Sequence, residues 1–148
     1  NSAKAIIIKQ NRLLVLQLED SVGNWYMLPG GGQEPHETLA EALIRECKEE
    51  IGATIEVGPL MFIREYFSCN HEFAHKDPDS HQIEFMFFSH LLQGQTPTQG
   101  PTPDPGQNGI TWLELHTLQS ARLYPLAIRE PITNIGRVSS PVYMGDVN

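Results

Sequence analysis

Glu46, Glu49 and Glu50 stand at i, i+3 and i+4 in a run of good helix formers that predicts a helix over 38–51, stopped by Gly52. At about 100° per residue the three carboxylates fall within one third of the helix circumference. Ala40, Leu43, Ile44, Cys47 and Ile51 gather on another face, which can pack on a sheet, while Glu41 and Lys48 take the solvent side. Like charges at such spacings weaken a helix, and an isolated triplet of this kind is usually solvated decoration. Its surroundings reverse that reading. Carboxylate-only clusters suit hard cations such as Mg²⁺ or Mn²⁺ and suit Zn²⁺ poorly. Just ahead of the helix, Gly30, Gly31 and Gly32 form a loop whose backbone a phosphate can approach. A helix N-terminus beside that loop also favours an anion. A phosphate and its metal could therefore share one site built from adjacent chain.

The balance of charge fits that chemistry. A formal net charge of -8 gives no basic face for nucleic acid, so a phosphate compound needs a cation other than a side chain. The longest apolar runs, such as 5–8, are too short for a membrane span. Cys47 and Cys69 have no CxxC partner, a usage that suits a reducing cytoplasm. With 148 residues, 40% of them apolar and 19% charged, the chain predicts a single domain with a real core.

Around the predicted helix the pattern is one of strands. Segments 3–9 and 13–19 read as a hairpin joined by Gln10, Asn11 and Arg12, and 24–28 as a short strand ended by Pro29. Further strands are expected at 56–67, 82–92 and 110–113, with helices at 114–120 and 125–134. The polar, His-rich stretch 68–81 reads as an insertion, and 95–106, with four prolines, as an exposed irregular loop. Residues 135–148 are expected to be a tail within the one domain, 1–148. Strands on both sides of one central helix predict an α/β/α sandwich of the α+β class, with a mixed central sheet.

The segment from Gly31 to Ala53 resembles the Nudix box, G-x5-E-x7-R-E-U-x-E-E-x-G-U with U apolar. Gly31, Glu37, Arg45, Glu46, Glu49, Glu50 and Gly52 fill its fixed places, and Cys47 and Ala53 its apolar ones, smaller than usual. Trp25, Leu28 and Pro29 ahead of the box and Trp112–Leu113 near the end also resemble the family, which extends the likeness over most of the chain. The resemblance implies a hydrolase that splits the pyrophosphate of a nucleoside diphosphate linked to another moiety. ADP-ribose or a nucleotide sugar comes first and a nucleoside triphosphate second. It implies Mg²⁺ or Mn²⁺ held by Glu46, Glu49 and Glu50, with Arg45 paired to Glu37 to tie loop to helix. It also admits a homodimer. The proline that marks many ADP-ribose members is missing, since none occurs between Pro59 and Pro78.

Other members imply two further readings: a nucleotide-sensing module without turnover, and an isomerase of isoprenoid diphosphates. The complete set of box acids favours hydrolysis over both. For the general base the resemblance puts Glu46 first, with Glu84, Asp104 and Glu114 as candidates on later segments. Glu84 is a carboxylate in the apolar stretch HQIEFMFF, either outward-facing or in contact with substrate. Asp104 reads as a turn acid or as part of a closing loop. Gly31, Gly32 and Trp25 are expected to touch substrate, Trp25 by stacking unless it belongs to the core. The insertion offers Asn70, His71, His75, Lys76 and His81 as donors to a phosphate or ribose. Its spacings match no zinc pattern, and the Cys ligands are missing.

Overall fold

The computed structural model describes residues 1–71, 79–137 and 141–148. Glu72, His75, Lys76 and Asp77 of the expected insertion lie outside the described residues. Strand β1 (Ser2–Lys9) turns back into β2 (Arg12–Asp20), but the two pair only beside the hairpin, at Ile8↔Leu13 and Lys9↔Arg12. Beyond that point they diverge. The glycine loop takes the place of β2 along β1, where Ala5 and Ala3 donate to the carbonyls of Pro29 and Gly31 at 2.8 and 3.0 Å.

Each strand then recruits its own neighbours. On its other edge β1 pairs in parallel with β5 (His81–Leu91), which pairs with β4 (Ile55–Phe67). Strand β2 lies between β3 (Gly23–Met27) and β6 (Gln107–Glu114), and β7 (Leu123–Tyr124) extends β3 in parallel. The result is a mixed, curled sheet covered by helix α1 (Leu39–Ile51) on one side. Three 3-10 turns occur among the described residues; two of them, with the short helix α2 (Arg129–Thr133), cover the other side. The expected α/β/α sandwich with a mixed sheet is the observed fold.

Strict alternation along the strands builds two cores. Ala3, Ala5 and Ile7 of β1 and Leu14, Leu16 and Leu18 of β2 face α1, where they bury Leu43, Cys47 and Ile51. The intervening Ile6, Leu13 and Val15 face Leu118, Leu123, Ile128 and Ile132. Two alanines on β1 let α1 sit close to the sheet, so the acids of this helix have a rigid base. Its start is set by a capping box: Glu41 N–H donates to Thr38 Oγ1 at 3.2 Å and Thr38 N–H to Glu41 Oε2 at 2.7 Å.

The Pro-rich loop has no regular structure, as expected, yet it has a definite task. A helix leaves its last carbonyls without internal partners. Here Thr98, Gly100 and Thr102 donate to the carbonyls of Ile51, Glu50 and Glu49, each at 3.0 Å. The prolines stand at 97, 101, 103 and 105, off the three donor positions, where a missing N–H costs nothing. This strap runs so close that a Cβ on Gly100 would lie 2.1 Å from the Glu49 carbonyl oxygen.

Three expectations are corrected. Residues 135–148 are not a tail throughout, because Tyr143–Asp146 forms β8, parallel to β4. Four residues with one glycine carry too little period-2 signal to reveal a strand whose partner lies about 80 positions away. The helix expected at 114–120 is the 3-10 turn Leu115–Ser120, and that at 125–134 is a 3-10 turn followed by the short α2. Strand β7 is two residues long and shows no pattern of its own.

Gly100→Ala should destabilise the protein by about 1–3 kcal/mol, the usual penalty for overpacking a tight contact. Gly109→Ala, where a Cβ would meet nothing within 4 Å, is the control. Equal denaturant midpoints for the two variants would show that the strap is not held against the helix.

Candidate active site

The box residues meet where the glycine loop crosses α1. Glu50 points inward and is 1% exposed, so the acidic stripe runs into the interior at this residue. Its Oε2 accepts from Gly30 N–H at 2.6 Å, whereas its Oε1 is buried and has no hydrogen-bond partner among the described residues. Burial, against the opposing pull of Lys4 and the Gly30 N–H and with a smaller push from the Asp104 carboxylate, raises its pKa to about 8. Lys4 is itself buried and donates to the carbonyl of Gly30. The glycine loop is thus gripped from below by the Lys4 ammonium and from the side by the Glu50 carboxyl group.

Glu46 and Glu49 lie on the outer side of the same junction. The Glu46 carboxylate fills the space in which a side chain at position 31 would grow: a Cβ there would lie 2.5–2.7 Å from its atoms. Only glycine fits. Arg45 binds Glu37 through Nη2 at 2.7 Å and Nε at 3.2 Å, the Gly32 carbonyl at 2.9 Å, Glu46 at 2.8 Å and Glu49 at 3.3 Å. Its guanidinium holds the Glu37 carboxyl below the usual range. The pairing of Arg45 with Glu37 implied by the box is therefore present, and it ties loop to helix. Since Arg45 engages Glu46 and Glu49 while Glu50 faces inward, no group of three or more acids, histidines or cysteines is gathered as a metal centre among the described residues.

The residues nevertheless fit a hard divalent cation. All three side chains offer oxygen, and one oxygen, Glu50 Oε1, is buried without a partner, a state that a bound cation relieves. The helix N-terminus is not open to an anion as expected, because its own capping box and Glu41 occupy it.

Beside the junction lies a cavity of about 210 Å³. Lys4, which grips the glycine loop, also lines it, together with Trp25, Tyr66, Tyr124, Arg64 and Glu84. Trp25 thus belongs to the cavity wall. Glu84 is 6% exposed and paired with the equally buried Arg64, at 2.5 Å from Nε to Oε2. An outward-facing Glu84 is excluded. Gly32 is exposed, bridged to Ser2 and bound by Arg45 through its carbonyl. His71 does not line the cavity: it stacks on Tyr66, with centroids 5.0 Å apart, and its Nε2 lies 2.7 Å from Asp146 Oδ1. Of the remaining candidates for the base, Asp104 lies near enough to Glu50 to push its carboxyl up, and Gln107 fixes this end of the strap. Gln107 Oε1 accepts from Asp104 N–H at 3.2 Å, and its Nε2 donates to the Glu50 carbonyl at 2.9 Å. Glu114 is exposed and faces Arg12 beside the hairpin, at the end of β2 away from the box.

Sequence reasoning missed Arg64, Tyr66, Tyr124 and Lys4. A cation inside the apolar run AKAIII and another inside FIREYF were the available signals, and both were passed over for the carboxylates.

Comparison with known proteins agrees with this geometry. The family model described as NUDIX domain matches residues 1–132. The chain belongs to the Nudix family. It is 33% identical over 91 residues to an ADP-ribose pyrophosphatase of Methanocaldococcus jannaschii, a match covering 61% of this chain and 50% of that protein. It is 34% identical over 89 residues to an 8-oxo-dGTP diphosphatase of Proteus vulgaris, covering 59% and 70%. The crystal structure of an ADP-ribose pyrophosphatase from Streptococcus suis superposes with a TM-score of 0.64 over 98% of this chain and 97% of that one, at 19% identity. The chain spans half or less of the length of the first curated relatives it matches.

The Glu50 pKa gives stability a sign. In the metal-free protein the neutral acid is favoured by folding, so its contribution is complete below 4.5 and is lost as pH rises toward about 8. Glu50→Gln should flatten this decline. Melting temperatures with a chelator at pH 5 and pH 8 should fall more for the wild type than for the variant, and parallel falls would refute the buried acid.

Proposed function

We propose that the protein is a metal-dependent hydrolase that cleaves the phosphoanhydride bond of a nucleoside diphosphate linked to another moiety. It releases a nucleoside monophosphate and the phosphorylated remainder. The observation that carries this reading is the unpartnered buried oxygen of Glu50, set under a glycine loop and next to an aromatic-lined cavity. Glu46, Glu49 and Glu50 would hold Mg²⁺ or Mn²⁺, which when bound offsets phosphate charge and makes water a better nucleophile. Gly31 and Gly32 admit the pyrophosphate. Arg45 and Glu37 keep the loop at its distance from the helix. Glu46, on the outer side of the junction, is the first candidate to take the proton from water, and Asp104 is the second. ADP-ribose and other nucleotide sugars lead the substrate panel. A nucleoside triphosphate is the second reading, supported by the likeness to the 8-oxo-dGTP diphosphatase. The two free thiols, one buried, fit a cytoplasmic setting.

The test is release of phosphate and monophosphate over a nucleotide panel with Mg²⁺ and Mn²⁺, abolished by a chelator. Glu49→Gln or Glu50→Gln should lower kcat by roughly a hundredfold or more with the fold intact, as loss of a metal ligand does. Near-normal turnover in either variant would sink the assignment. At saturating metal, Glu46→Gln should lower kcat by about 10²–10⁴-fold and far exceed Asp104→Asn. If Asp104→Asn proves the more damaging, the base sits on the strap.

A further inference from the structure

We propose that Asp146 is a positioning residue for substrate binding: from β8 it fastens both supports of Tyr66, which lines the cavity. The inference rests on the hydrolase reading above and concerns the hold on the substrate, not the bond that is broken. Strand β8 is weakly built for its place. It has four residues at the edge of the sheet, one of them a glycine at φ +78°, and its register on β4 slips between Ile63 and Arg64. A glycine within a strand weakens it. Side chains make up the difference.

Asp146 supplies most of that hold. Its Oδ1 accepts from Phe67 N–H at 3.0 Å and lies 2.7 Å from His71 Nε2, and its Oδ2 accepts from Asn70 Nδ2 at 2.6 Å. Asn70 first, and then the Phe67 N–H, keep the carboxyl down at about 2. The carboxylate therefore only accepts, and His71 Nε2 carries the proton between them. In a second clamp Glu65 takes the Tyr143 hydroxyl at 2.5 Å and lies 2.9 Å from His81 Nε2. That clamp is open to water, with Tyr143 58% exposed, and exposed contacts of this kind contribute little. Asn70, His71 and His81, expected as donors to a phosphate or ribose, are all engaged in these two clamps.

Two lines run from Asp146 to the cavity. Through His71 it backs Tyr66, since the imidazole that it orients stacks on that ring with centroids 5.0 Å apart and planes at 10°. Through the chain it fixes the next residue, Val147, whose carbonyl accepts from Arg64 Nη1 at 2.8 Å. The Arg64 guanidinium in turn lies 5.1 Å from the Tyr66 ring centroid and pairs with Glu84. Tyr66, Arg64 and Glu84 all line the cavity, as does Asn148, two residues past Asp146. None of these contacts involves Glu46, Glu49 or Glu50. Losing Asp146 should thus loosen the wall against which the substrate rests and leave the metal-binding acids in place, a loss of uniform binding.

Steady-state kinetics of the full chain at saturating Mg²⁺, on ADP-ribose or on the panel nucleotide cleaved fastest in its place, test the role. Asp146→Ala should raise KM about tenfold or more and change kcat by less than about threefold, because the hydrogen bonds lost are made to a charged group. Asp146→Asn keeps an acceptor for Phe67 N–H and His71, and a flipped Asn70 amide can accept from its nitrogen. KM for that variant should return to within about threefold of the wild type. Tyr143→Phe should stay within about twofold. Calorimetric titration with Mn²⁺ should give the same affinity for the wild type and Asp146→Ala. An unchanged KM for Asp146→Ala overturns the inference, and so does a loss of metal affinity that matches the rise in KM. Asp146→Asn as damaging as Asp146→Ala also overturns it, by making the charge rather than the fastening act on the substrate. If Asp146→Ala does not fold, Asn70→Ala, which removes one donor, carries the same test at about threefold in KM. No cleavage of any panel nucleotide by the wild type overturns the reaction and the inference together, whereas cleavage with KM unmoved overturns the inference alone.

Discussion

Glu50 accepts the Gly30 N–H at 2.6 Å from within the protein, and most of the site depends on this contact. A carboxylate buried this deeply must be approached closely by whatever serves it, so the loop that brings the N–H has to press against the helix. That pressure explains the glycine at 31, which lies on the Glu46 carboxylate. It also explains why β1 parts from β2 after two paired positions and accepts the loop along its edge instead. Lys4 is turned inward at the same place, where its charge partly offsets that of Glu50. Hydrogen bonding and charge therefore agree on a single geometry in which the loop cannot drift from the acids.

The cavity has a similar logic one strand further on. Arg64 and Glu84 are direct partners in the β4–β5 register, so a buried ion pair forms without distortion of either strand. Its cost in lost hydration is met only if every remaining group is matched. The end of the chain contributes to that matching through Val147 and Asn148. Strand β8 thereby positions Asn148, just beyond it, in the cavity wall.

Much of the box was legible in the sequence because its contacts are local. A helix, its stop at Gly52 and its greasy face follow from spacing, and the Arg45–Glu37 pair joins residues eight positions apart. The direction of Glu50 was not legible, because the same i, i+3, i+4 spacing serves an exposed stripe and a split one; only the position of the glycine loop decides. Glu84 looked anomalous for a sound reason, a charge in an apolar strand, but its partner lies 20 residues away across a sheet whose pairing a single sequence does not display. The elements read as helices near the C-terminus fail for another cause. They are short 3-10 turns whose form is set by packing against Leu13 and Val15 rather than by their own propensity.

The strap that closes α1 alternates donors at 98, 100 and 102 with prolines at 97, 101 and 103, and this gives the loop a parity. Removing one residue ahead of Thr98 would shift the sequence by one and set prolines opposite carbonyls that need a donor. Removing two residues would preserve the phase but bring Thr102 to the place of Gly100, where a Cβ meets the Glu49 carbonyl. In a segment that composition alone would class as freely variable, both the length and the place of the glycine are therefore constrained.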